Sequence, residues 1–299
     1  MPAWIPLSVL FWSSVLWGLA WWPLKQLSAQ GLSGIPLIFI AYGSVGLLLL
    51  PVLFLQGKRW APHWPLLLLL LCCGGVANIA FPASMIYGDV IRSMALFYLL
   101  PVWGVLGGRI FLGERLTVPR MTALGLAVTG ALLLLGGPAI LDAPPSWVDG
   151  IAILSGFAFA MTNIGFRATP QLPVPSKVAA LFLGCLLFSA LMLLAGLQQF
   201  PAGIASSTLA GAVAFGVGGL LLATACTQWA VTKMQAGRSA VVMVMELVAA
   251  VASAALIAGD RMSPLEMAGG LLILGAALIE AIAPQHETNQ AGAVPAQAQ

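Results

Sequence analysis

Residues 92–125 read RSMALFYLLPVWGVLGGRIFLGERLTVPRMTALG, and residues 238–270 read RSAVVMVMELVAAVASAALIAGDRMSPLEMAGG. The second stretch is a worn copy of the first. Arg92-Ser93 returns as Arg238-Ser239, and Leu112-Gly113-Glu114-Arg115 returns as Ala258-Gly259-Asp260-Arg261, both 146 residues on. Pro119-x5-Gly125-x4-Gly130 returns as Pro264-x5-Gly270-x4-Gly275 after a one-residue deletion. Further upstream, Gly18-x4-Pro23 returns as Gly165-x4-Pro170. A near-constant offset held across most of the chain is a duplication. Duplicated apolar chains are the pattern of secondary transporters, whose site forms between the repeats.

Both copies are almost wholly apolar. The chain is 61% hydrophobic and 7% charged, with a mean hydropathy of +1.02. A soluble domain carries about 25% charged residues, so a water-soluble fold of this length is excluded. Residues 284–299, rich in Ala, Gln and Pro without apolar periodicity, read as a disordered cytoplasmic tail. The N-terminal run lacks a basic n-region and reads as a retained first helix. Cys72, Cys73, Cys185 and Cys226 all lie in apolar runs and read as small buried thiols. Their spacing offers no metal site, and the dispersed net charge of +3 gives no reason to expect nucleic acid.

Apolar runs bounded by Gly, Pro and charge predict ten spans, at 4–23, 33–55, 64–87, 91–112, 119–136, 147–167, 177–197, 207–230, 238–257 and 264–282. Each approaches the roughly 20 residues that cross a bilayer core. Unbroken apolarity, rather than alternation, makes them helices and not barrel strands. With the N-terminus inside, Lys58, Arg59, Arg109, Arg115, Arg120, Arg167, Lys177, Lys233 and Arg238 fall on cytoplasmic ends, against Lys25, Arg92 and Arg261 outside. That bias predicts both termini in the cytoplasm. The expected division is a first five-helix repeat over 1–140 and a second over 141–283. Five is odd, so the second copy enters the membrane upside down. The fold expected is an all-α membrane protein of two inverted five-helix repeats.

Residues 97–117, FYLLPVWGVLGGRIFLGERLT, resemble the fourth helix of the drug/metabolite transporter superfamily in its EamA-type branch. That repeat carries a proline followed 13 residues later by the Glu of an L-G-E-R-like helix end, here Pro101 and Glu114. Met245-Glu246-Leu247-Val248 leading to Gly259-Asp260-Arg261 is similar to the family's second copy, with Leu247 where proline is usual and Asp260 where Glu is usual. Trp17-Gly18 also fits. Around Tyr98 the chain looks most like the YddG-type exporters of aromatic and other amino acids. The resemblance implies a ten-helix inner-membrane protein that exports small metabolites without ATP.

Polar groups at bilayer depth are costly and tend to face a cavity. Glu246 is the one acid well inside a span; it either binds a substrate ammonium, titrates to couple export to protons, or braces a neighbouring helix. Asn78 and Asn163 read either as recognition amides or as interhelical glue. Trp17, Phe81, Tyr98 and Phe159 lie deep in their spans, and Met243 falls beside Glu246. These residues are the expected substrate wall, aromatic for an apolar side chain and polar for its head group. Gln228 is a weaker candidate. Trp4, Trp21, Trp22, Trp60, Trp64 and Trp147 read as interface anchors.

Pro101 should kink the fourth helix. Gly104 and Gly108 there, with Ala250 and Ala254 at the same repeat position of the ninth, form small-residue stripes. They predict close approach of two gating helices, or simply tight packing. No Lys or Arg lies mid-span to compensate a phosphate. The motifs of hydrolases and nucleotide-driven pumps are missing, so no enzyme, catalytic residue, metal or cofactor is expected. The expected partners are a small-molecule substrate and the lipid bilayer, and a site between two halves of one chain needs no more than a monomer.

Overall fold

Apolar segments in lipid must close their backbone hydrogen bonds internally, and every span does so as a helix in the computed structural model. The structure describes Pro2 and residues 4–137, 144–258 and 263–283. The helices are α1 (Trp4–Ala29), α2 (Gly34–Leu55), α3 (Trp64–Tyr87), α4a (Val90–Phe97) and α4b (Leu100–Leu112), and α5 (Val118–Leu134). The second half supplies α6 (Trp147–Ala168), α7 (Val174–Leu194), α8 (Ser206–Lys233), α9a (Ala236–Met243) and α9b (Met245–Ala258), and α10 (Pro264–Ile282). Among the described residues nine spans are long and apolar enough to cross a bilayer, and α5 is a shorter apolar helix of 17 residues. The tail 284–299, the 138–143 connection and Gly259-Asp260-Arg261 lie outside the described residues.

Two boundaries differ from expectation. α1 continues past Pro23 to Ala29, because the chain restarts a helix at Trp21 and Pro23 sits in its first turn, where a missing N–H costs nothing. α8 runs to Lys233 through a π-helical stretch, Phe215–Leu220, where Gly216 presses against the Ala41 carbonyl of α2. A wider turn absorbs that close approach.

The fourth and ninth helices are broken at matching points. α4 interrupts at Tyr98-Leu99, just before Pro101, whose absent N–H frees the Phe97 carbonyl. Gly156 of α6 lies against that carbonyl; a Cβ there would stand 2.5 Å from it. α9 interrupts at Val244, 146 residues on, although Leu247 replaces the proline. The Leu247 N–H donates to the Val244 carbonyl at 3.0 Å, a tighter turn than the α-helix uses.

Helix contacts repeat when the halves are exchanged. α2 packs on α7 and α5 on α10, each pair its own mate. α3 on α6 is matched by α8 on α1, α3 on α7 by α8 on α2, and α4 on α6 by α9 on α1. In the α5–α10 pair Gly130 and Gly269 abut one another's carbonyls, which lets the two backbones touch. One pairing breaks the symmetry: α4b packs on α9a, but α9b and α4a scarcely meet. α9a also touches α5 and α10, where α4a has no comparable hold on them. The two ends of the bundle are therefore not alike; α9a is clamped and α4a stands away.

The small-residue stripes pack differently from expectation. Gly104 presses on Ala240 of α9a, and Gly108 faces Ala236. Ala250 packs against α1 instead of α4, with a Cβ on Gly18 falling 2.9 Å from the Ala250 nitrogen. Ala254 lies one turn beyond Ala250 on the same helix. The break at Val244 splits the ninth helix, so α9a meets α4b while α9b is committed to α1.

Candidate functional site

Where α4a stands away from α9b, a cavity of about 380 Å³ opens between the halves. Its wall runs from Glu246 at the start of α9b to Ser28 and Gly34 at the α1–α2 connection. This volume falls within the usual range for small-molecule sites. Six of the eight expected wall residues line it: Trp17, Asn78, Phe81, Tyr98, Phe159 and Glu246.

Each side chain arrives by a definite route. Tyr98 sits at the α4 break, where its hydroxyl donates to the Glu246 carboxylate. Glu246 is brought opposite because the α9 break starts a new helix at Met245. A Cβ on Gly18 would stand 2.5 Å from the Glu246 carbonyl, so only glycine lets α1 seat against this turn. Glu246 is half-buried, and its second oxygen takes no hydrogen bond from the described residues. Phe97 forms the hub of the aromatic wall, 4.3 Å from Phe81, 5.1 Å from Tyr98 and 5.8 Å from Phe159 between ring centroids. The Asn78 amide donates to the Gly74 carbonyl at 2.8 Å, leaving a second N–H and its oxygen for other partners. The Trp17 indole N–H meets no acceptor among the described residues.

Asn163 and Met243 do not line this cavity. Gln228 donates to the Asn163 oxygen at 3.0 Å, and the Asn163 amide reaches the Met243 sulfur at 3.5 Å. All three are buried, Asn163 and Gln228 lying beneath Met243 at the end of α9a, toward the clamped end. Spacing placed them at the right depth but could not say which end of the bundle was closed. Trp21 is also misassigned as an interface anchor: it lines the cavity and donates to Ser253 at 2.8 Å, because α1 does not end at residue 23. Sequence reading missed Tyr42, Met94 and Phe97, all on the wall. Tyr42 carried a usable signal, a phenol in the middle of an apolar span.

The clamped end is held by charge. Gly113, at φ 67°, makes the left-handed turn that ends α4b and returns Glu114 toward it. Glu114 then accepts the Ala236 N–H at 2.7 Å and the Gly237 N–H at 3.2 Å, capping α9a across the halves. Arg120 lies 3.5 Å from both Glu114 and Glu280 and also donates to Gln235. Lys177, wholly buried, donates to the Phe166 and Thr169 carbonyls at 2.9 and 3.0 Å, closing the end of α6. At the open end Arg92 pairs with Asp149 at 2.8 Å, tying α4a to α6.

A solved structure described only as "Crystal structure of protein" superposes with a TM-score of 0.73 at 18% identity, covering 92% of this chain and 94% of its own; at that identity it speaks for the fold alone. No curated protein sequence matches the chain. Residues 4–136 of this multi-pass membrane protein, the half that carries Tyr98 and Glu114, match the model of the EamA-like transporter family.

Proposed function

We propose that the chain is a secondary transporter exporting amino acids, aromatic ones included as in the YddG-type exporters, and similar small zwitterionic metabolites. It works by alternating access, with the site between the halves 1–140 and 141–283, in an inner membrane with both ends cytoplasmic. One observation carries this reading: the cavity wall joins an aromatic cluster to a single carboxylate and a few unused donors. Phe81, Phe97 and Phe159 take the apolar side chain. The free oxygen of Glu246 takes the ammonium, and the Trp17 indole and Asn78 amide take the carboxylate. Among the described residues no Lys or Arg lines the cavity, which disfavours phosphorylated solutes.

The lone acid also favours a second reading, proton-coupled efflux of hydrophobic cations. Glu246→Gln separates the two in proteoliposomes. Under the first reading counter-flow of labelled amino acids persists without a pH gradient, weakened by about tenfold or less. Under the second, proton-driven cation efflux is abolished. An absence of counter-flow for every amino acid with the wild-type protein would remove the first reading.

A further inference from the structure

The buried amides of Asn163 and Gln228 have a place in the exchanged geometry. α3 ends at Tyr87 and α8 at Lys233, 146 residues apart, so Phe81 and Pro82 of the cavity wall correspond to Thr227 and Gln228 of α8. By the same offset Asn78 corresponds to Thr224, and Phe97 to Met243. Of these, Gln228 lies with Asn163 beneath Met243, the last residue of α9a, which is the segment matching α4a. In this conformation the two amides are buried, and they are poorly satisfied. The Gln228 carbonyl oxygen is buried with no hydrogen-bond donor, on a residue 2% exposed. The Asn163 amide has only a thioether sulfur at 3.5 Å, a weak acceptor. Two uncharged amides, one with an idle acceptor and one with an idle donor, are a costly way to glue helices.

Resting on the transport reading, we infer that Asn163 and Gln228 form a second solute station, exposed when α9a swings out as α4a has here. Met243 is its lid. The station takes a zwitterionic head group, the ammonium at the Gln228 oxygen and the carboxylate at the Asn163 amide. The latch is Glu114, which holds the first N–H groups of α9a. A charged acceptor binds these donors more strongly than a neutral one, so Glu114→Gln weakens the latch without removing its bulk.

The test is accessibility of Gln228→Cys, in a chain with its four native cysteines replaced, to a membrane-impermeant thiol reagent applied from each face. Labelling is expected only from the face bearing Glu114 and Arg120, rising at least fivefold in Glu114→Gln. Met85→Cys, on the open cavity wall, should label from the opposite face and slow in the same background. Thr224→Cys, one turn away, serves where Gln228→Cys does not fold. Absence of labelling at both α8 positions from either face, with Met85→Cys reactive, would overturn the station and leave the amides as packing. Gln228→Leu should raise KM for labelled amino acid entering from the Glu114 face by about tenfold and spare entry from the other; equal effects on both also overturn it. Labelling needs no knowledge of the solute, so alternating accessibility without amino-acid flux would instead sink the amino-acid reading and keep the lid.

Discussion

Tyr98 and Glu246 meet across the halves through two helix breaks, and each side chain explains the other's cost. A carboxylate in a largely apolar wall needs a donor, and a buried phenol needs an acceptor. Hydrogen bonds to charged groups contribute about 1.5–3 kcal/mol. Tyr98→Phe keeps the ring packing on Phe97 but leaves the carboxylate without its donor. Transport should fall by about ten- to a hundredfold while the protein elutes as a folded species in detergent; unchanged flux would remove the pair from the site. Gly18 sets a steric limit on the same turn. Gly18→Val drives a branched side chain into the Glu246 carbonyl and the Ala249 Cβ, and overpacking of this kind costs about 1–3 kcal/mol or more. A lowered melting temperature, with flux per folded molecule lost as well, is the expected outcome. At this scale the sequence was informative about chemistry and silent about direction. Glu246, Tyr98, Asn78 and Trp17 announce themselves as polar or amphipathic groups at depth, whereas Phe97 looks like any other apolar residue until three rings are seen around it.

The breaks in α4 and α9 separate what proline does from what the fold requires. The sequence reading rested the kink of α4 on Pro101 and made no comparable case for α9, where Leu247 stands in its place. The structure breaks both helices at the same repeat position. The common cause is tertiary, since α6 meets α4 on both sides of its break and α1 meets α9 on both sides of its own. Local propensity is a weak prior beside such contacts. Pro101→Leu should therefore leave the break intact, the new N–H bonding to the Tyr98 carbonyl as Leu247 bonds to Val244. Flux within threefold of wild type is expected, with a small change in melting temperature. Gly156→Val should be worse than Pro101→Leu, because its side chain meets the Phe97 carbonyl that the break exposes. The reverse order of severity would return the cause to the proline.

At the scale of the whole molecule, duplication made the symmetric part of the fold legible, since repeated Gly and Pro spacing maps helix onto helix. The asymmetric part was not legible, because equivalent segments of the two copies share one spacing pattern and no residue type says which of them packs across the halves. The packing of α4b on α9a without α9b on α4a is a difference of conformation between equivalent segments. Which side of the membrane that conformation opens to depends on the bias of Lys and Arg. Lys58 and Arg59 lie in the α2–α3 connection, and Arg120 and Lys177 lie at the clamped end. On the proposed topology the positive-inside tendency would put all of these in the cytoplasm, and the cavity, reaching Ser28 and Gly34, would then open outward. Two single-cysteine positions in a cysteine-free chain decide it: Pro62→Cys in the α2–α3 connection and Ala202→Cys between α7 and α8. In intact cells an impermeant maleimide should label Ala202→Cys and reach Pro62→Cys only after the membrane is permeabilised. The opposite pattern would invert the whole assignment, making this cavity the cytoplasmic one and turning the Glu114 latch into an outer gate, since the helices that carry them are fixed relative to those two connections.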